Sequence, residues 1–420
     1  MVKIDKLDNG VKIVMEQLPS VRSVAIGIWV KSGSIYEDEY NNGISHFIEH
    51  MLFKGTEKRA AKQIAEDMSA IGGHINAFTG KEYTCFYAQT LDEHIEIGID
   101  ILSDMLQNSL FSNEDIKKEK TVVLEEIDMV EDSPEEVALD SFHQNVWKGH
   151  SLGFSILGGK DNIKNLTRED LINYYKKYYT TDNIVISVAG HFEFNYIKEL
   201  LNTYFRDINT KSSKGSIEDP KYHRSFLYRN KDIEQVHLCL GFEGIHYYSD
   251  KLYTLAILNT ILGGSMSSRL FQGIREEKGL AYSIYSFTST YQEAGLLNIY
   301  AATNPNSINE VLEQVKDEVS WLKQNGITQD ELDKTKEQLK SNYIIGLEST
   351  NSRMSSNGKS IILLNRIKTQ DEIIDKLNTV TLEDFNELTR DIFQMNELSL
   401  TFVGRTKNID IEKVKDVWAE

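Results

Sequence analysis

Leu166-Thr167-Arg168-Glu169-Asp170-Leu171 leads into Ile184-Val185-Ile186-Ser187-Val188-Ala189-Gly190. The first piece reads as a helix start, with a threonine able to cap and acids in the first turn. The second is an unbroken apolar run closed by glycine, the pattern of a buried strand. The pair recurs about 210 residues later as Val380-Thr381-Leu382-Glu383-Asp384-Phe385 and Leu398-Ser399-Leu400-Thr401-Phe402-Val403-Gly404. Working outward, Ser112-Asn113-Glu114-Asp115-Ile116-Lys117-Lys118 matches Thr328-Gln329-Asp330-Glu331-Leu332-Asp333-Lys334, and Val24-Ala25-Ile26-Gly27-Ile28 matches Val236-His237-Leu238-Cys239-Leu240. Four anchors in one order mark an internal duplication.

Each half reads as strand, helix, strand, long helices, strand. That is an α+β order, and it predicts two homologous sandwich-like halves, each a mixed sheet with helices packed on it. Asp8-Asn9-Gly10 between apolar alternations signals a hairpin. Asn209-Thr210-Lys211-Ser212-Ser213-Lys214-Gly215-Ser216 is polar, and Pro220 follows. The expected division is therefore 1–208, a linker over 209–230, and 231–420. A linker of that length lets two halves face each other across a cleft.

Composition narrows the function classes. The 420 residues carry 46 Lys+Arg and 64 Asp+Glu, a net charge of −18. That balance argues against nucleic acid as a partner, since such proteins show a basic footprint; its long-range field would favour cationic ligands, but plain solubility is the preferred reading of it. With 40% hydrophobic and 26% charged residues the chain is an ordinary globular one. Cys85 and Cys239, the two cysteines, are too few for a disulfide framework and read as buried free thiols. The amino terminus has neither an apolar signal core nor an Arg/Ser-rich arm, and no run approaches a membrane span. A cytoplasmic protein is expected.

The chemistry gathers in Gly43-Ile44-Ser45-His46-Phe47-Ile48-Glu49-His50-Met51-Leu52-Phe53. His46 and His50 stand four apart, hence on one helical face, with Glu49 beside them. Phe47, Ile48, Met51 and Leu52 can pack the rest of the helix into a core. A buried glutamate next to two histidines is costly unless a positive charge compensates it. Two imidazoles at this spacing can reach one Zn²⁺, and His-x-x-Glu-His is the inverted zinc-peptidase motif. A catalytic zinc needs a third protein ligand. The motif itself does not say which downstream carboxylate that is.

The motif segment resembles that of the pitrilysin/insulysin family of zinc metallopeptidases (M16), and in length the chain is most similar to its mitochondrial processing peptidase branch and bacterial relatives. Glu119-Lys120-Thr121-Val122-Val123-Leu124-Glu125-Glu126-Ile127 looks like the family segment that carries the third ligand; by the family's spacing from the second histidine Glu125 would compete with Glu126, since adjacent helical residues point about 100° apart and only one can face the metal. The resemblance makes His46, His50 and Glu126 the zinc ligands, Glu49 the general base and Glu119 an assisting acid. It likens Gly72-Gly73-His74-Ile75-Asn76-Ala77-Phe78-Thr79 to the family's edge strand, where Asn76, Ala77 and Phe78 would bind an extended peptide by backbone pairing. It implies a zinc endopeptidase for short unfolded peptides taken into a chamber, built from chains that pair as a homodimer or with a homologous subunit. The competing reading is a non-catalytic peptide-binding or structural subunit, but such relatives have lost the ligands kept here.

The second half aligns Asn259 with Glu49 and Thr260 with His50, so one zinc per chain is expected. What that half does carry is Arg275 and Tyr282, seven apart, which resemble the family pair that meets substrate with hydrogen-bond donors.

Overall fold

The computed structural model describes residues 2–210, 217–405, 414 and 418. Residues 211–216 of the expected linker lie outside that set. The chain forms two compact units, and the expectation of two mixed α+β halves holds. The first unit comprises 1–128, 154–217 and 345–368; the second comprises 129–153, 218–344 and 369–420.

The first unit is built on a six-stranded sheet of β1 (Val2–Lys6), β2 (Lys12–Gln17), β3 (Ser23–Val30), β4 (His74–Thr79), β5 (Thr84–Leu91) and β6 (Ile184–Gly190), in the order β1-β2-β6-β3-β5-β4. Only β2 and β6 pair in parallel. The Asp8-Asn9-Gly10 turn joins β1 to β2, with Gly10 at φ +95°, a conformation glycine adopts without penalty. Strands β3 and β6 are buried along almost their full length, because both faces of this sheet are covered. Ile26, Ile28 and Val30 join the helices of the main core. Alternate residues point the other way, onto the helix Thr350–Leu364.

The second unit repeats the plan with β7 (Phe226–Asn230), β8 (Val236–Glu243), β9 (Ala281–Thr290), β10 (Gly295–Thr303) and β11 (Ser399–Gly404), in the order β7-β11-β8-β10-β9. Here β7 and β11 are the parallel pair. The duplication read from sequence is visible strand by strand, β3 answering to β8 and β6 to β11. Thr167 and Thr381 both close capping boxes, with Asp170 and Asp384 respectively. Cys85 and Cys239 are buried free thiols. Among the described residues no helix is long and apolar enough to cross a membrane.

The units do not follow the expected boundaries at 208 and 231. Helix Pro134–Val146, from the first half of the chain, packs on β11 and β8 of the second sheet. Helix Thr350–Leu364, from the second half, packs on β3, β6 and β2 of the first. Each seat is made by a glycine. A Cβ on Gly27 would lie 2.3 Å from Met354 Sδ, and one on Gly241 would lie 2.4 Å from Phe142 Cζ. Polar contacts fasten the Thr350–Leu364 helix: Arg353 Nη1 and Asn357 Nδ2 donate to the two oxygens of Glu16 at 2.6 and 2.7 Å, and Ser187 Oγ donates to Met354 O at 2.7 Å.

Residues 1–210 alone lack the helix that covers Trp29 and Gly27. We expect that fragment to be recovered insoluble, and to elute as a soluble pair when co-expressed with 211–420. A monomeric 1–210 fragment with cooperative unfolding by circular dichroism would contradict the exchange.

Candidate metal centre

The motif helix Ile44–Leu52 starts without a side-chain cap of its own. Its first residues follow Gly43, whose φ of +98° suits glycine and whose Cβ would stand 2.6 Å from Leu157 O. The free N–H groups are taken by Glu37 from outside the helix. Its Oε2 accepts from Gly43 N and Asn42 Nδ2 at 2.8 Å each, and its Oε1 accepts from Ser45 N at 2.9 Å. A buried carboxylate therefore answers the helix N-terminus. Phe47, Ile48, Met51 and Leu52 are at most 1% exposed. That packing fixes the rotation of the helix and leaves His46, Glu49 and His50 on its open face.

His46 Nε2 and His50 Nε2 are 3.2 Å apart. Glu126, on the helix Asn113–Asp132, places Oε2 at 3.5 Å from His50 Nε2 and 3.8 Å from His46 Nε2. Tetrahedral bonds of about 2.0–2.1 Å hold neighbouring donor atoms about 3.3–3.4 Å apart. The donor triangle thus fits a zinc ion to within a few tenths of an ångström, and two imidazoles with one carboxylate are a zinc donor set. It is the one such cluster among the described residues. Glu125, the competitor by spacing, is exposed.

Around the donors, each side chain has a distinct electrostatic setting. Glu119, 2% exposed, accepts from His50 Nδ1 at 2.7 Å through Oε1 and from Lys54 Nζ at 2.7 Å through Oε2. Burial pushes the Glu119 carboxyl up, but His50 and Lys54 outweigh it and hold it below the usual carboxylate range. Burial also works against a charged His50, yet its bond to Glu119 and the charge of Glu126 prevail and raise it. Burial and the neighbouring His50 hold His46 down to about 3. His50 thus bridges the cluster, its Nδ1 bonded to Glu119 Oε1 at 2.7 Å and its Nε2 facing His46 Nε2. Glu49 is pushed up by burial, opposed by a hydrogen bond from Thr79.

Asn76, Ala77 and Phe78 lie on β4, the edge of the sheet, which pairs with β5 alone. Asn76 and Phe78 face outward, while Ile75, Ala77 and Thr79 are half-buried toward the motif helix. Arg275 and Tyr282 belong to the second unit. The Arg275 guanidinium lies 4.6 Å from the centre of the Phe271 ring, and Tyr282, at the start of β9, is 76% exposed. Sequence reading missed Glu37, Lys54 and Thr79. Thr79 alone had a signal, as the next inward position after Ala77 on a period-2 strand.

Comparison with known proteins adds a family context. The profile described as insulinase (peptidase family M16) matches residues 12–160, and that of the peptidase M16 inactive domain matches residues 165–339. YmxG of Bacillus subtilis, named an uncharacterized zinc protease, is 47% identical over 409 residues, covering 97% of this chain and 100% of its own. A similarly named zinc protease of Streptomyces coelicolor is 36% identical, covering 100% and 93%. In fold, a protease from Helicobacter pylori superposes with a TM-score of 0.90 at 22% identity, over 96% of this chain and 99% of that one.

Two outcomes are expected of this centre. Glu119→Ala should weaken zinc binding by about 10- to 100-fold in a chelator competition, because His50 loses the partner that orients it. Zinc uptake near pH 6 should release about one proton per chain, from His50, since His46 is already neutral there. The share released by His50 should fade as pH rises through its raised pKa, leaving only what a zinc-bound water gives up. Calorimetry in two buffers of different ionisation enthalpy measures it, and release of two protons would show His46 charged.

Proposed function

The chain belongs to the M16 (insulinase) family of peptidases, and from that membership and its donor set we propose that it is a zinc-dependent endopeptidase acting on short unfolded peptides. The observation that carries the reading is the convergence of His46 Nε2, His50 Nε2 and Glu126 Oε2 within 3.2–3.8 Å of one another, with Glu49 beside them on the same helix. His46, His50 and Glu126 would hold the metal. When bound there, zinc supplies Lewis-acid polarisation and a water of lowered pKa.

The residues of the chain do the remaining work. Glu49 takes the proton of the attacking water and returns it to the leaving amine, so the peptide bond is cleaved without a covalent intermediate. Glu119 fixes the His50 ring and its tautomer. The open edge of β4 offers backbone groups of Asn76, Ala77 and Phe78 to an extended peptide, which reads extension more than sequence. Arg275 and Tyr282 supply donors for a substrate carbonyl. A net charge of −18 suits basic peptides. Family membership also supports a pairing of chains, with a second copy or a homologous subunit. A purely structural role is not favoured, because all four motif positions keep their chemistry.

Glu49→Gln should retain zinc by mass spectrometry while losing at least about 100-fold in turnover of a fluorogenic peptide. Equal turnover by the variant would remove Glu49 from the reaction.

A further inference from the structure

Resting on the peptidase reading, we propose that Thr79 is a positioning residue for Glu49, holding one carboxylate oxygen so that the other faces the reacting water. Thr79 Oγ1 donates to Glu49 Oε2 at 2.5 Å. A hydroxyl has one proton. The neighbouring hydroxyl, Thr84 Oγ1, spends its own on Ser32 O at 2.9 Å and stands 3.3 Å from Thr79 Oγ1. The Thr79 proton therefore goes to the carboxylate, the stronger acceptor.

Thr79 is suited to the task by its place. It is the last residue of β4, and its inward-facing neighbours Ile75 and Ala77 pack toward the core. A threonine side chain is stiff about χ1, so its hydroxyl is presented at low entropic cost. Glu49, by contrast, has three side-chain torsions, and the ordering must come from a partner. The bond spans from the strand proposed to pair with peptide to the side chain proposed to move its proton.

The second unit holds a parallel. Ser286 on its edge strand β9 places Oγ 2.8 Å from Asn259 Oδ1, and Asn259 aligns with Glu49. By the strand registers, Ser286 answers to Ala77, two residues from Thr79 on the same face. A hydroxyl tie from edge strand to helix is thus a recurring device, and only in the first unit does it act on a carboxylate beside a metal cluster.

The test compares Thr79→Val, Thr79→Ser and Ser286→Ala with wild type. We expect Thr79→Val to lose about 10- to 100-fold in kcat, with KM within about two-fold and zinc content unchanged, since small misplacements of a reacting group cost this much. Thr79→Ser should recover kcat to within about three-fold, and Ser286→Ala should match wild type. Adding Thr79→Val to Glu49→Gln should cause no further loss, because the tie then has no base to position. Wild-type kcat in Thr79→Val, failure of serine to rescue, or a further loss in the double variant would overturn the proposal. A crystal structure of metal-free Thr79→Val supplies a readout independent of turnover, in which the Glu49 carboxylate should leave its position; an unmoved carboxylate overturns the role. Should wild type itself cleave no peptide, the peptidase reading fails, and this structural readout still decides the tie.

Discussion

The hydrogen bond between Glu119 and His50 is the interaction on which the centre depends. It joins two helices that are 69 residues apart in sequence, at 2.7 Å and almost out of water. The same carboxylate takes Lys54 on its other oxygen, so its charge is compensated in place. Once that bond is made, helix Asn113–Asp132 is set in rotation and height against the motif helix. Glu126, two turns further along, then has to arrive at the open nitrogen of the ring whose back is held. His46 has no such support: its Nδ1 is buried without a hydrogen-bond partner. The centre is therefore anchored on one histidine and completed by the other.

Such a centre occurs once among the described residues, and the duplication shows what stands in its place in the other copy. Both units keep the sheet order, the parallel strand pair and the two capping boxes, all of which serve folding. Asn259 and Thr260 stand where Glu49 and His50 stand, and their hydrogen bonds go to Ser286 and to the Ala256 carbonyl within the unit. The second copy has turned the chemistry of that helix face inward. The exchanged helices make the division of labour mutual, because each sheet is finished only by a segment of the other half. Glu16 is the clearest sign, a nearly buried carboxylate near the amino terminus whose partners Arg353 and Asn357 arrive more than 330 residues later.

What sequence made legible was local or periodic. The capping threonines, the Asp8-Asn9-Gly10 turn, the apolar strands and the spacing of His46 and His50 each depend on a few consecutive residues and the geometry of one element. The choice between Glu125 and Glu126 was not of that kind, since it turns on how a long helix is rotated once docked. The exchange of Pro134–Val146 and Thr350–Leu364 was hidden for a related reason: amphipathicity says that a helix has a sheet to cover and is silent on which. Glu37 and Lys54 were hidden because a charged residue in a loop reads as solvated until the fold brings it a partner. Thr79 was one step from the strand residues already singled out, but a hydroxyl carries no visible mark of the carboxylate it will meet.

The two margins of the first sheet are finished in opposite ways. Strand β1 shows solvent the sequence Val-Lys-Ile-Asp-Lys, whose charges discourage a foreign strand despite exposed Val2 and Ile4. Strand β4, His-Ile-Asn-Ala-Phe-Thr, has no lysine or acid and leaves Phe78 39% exposed. That border lacks the usual guard against fibrillar cross-pairing. An open β4 thus carries a standing solubility liability, and it falls on the side of the sheet that holds the histidines.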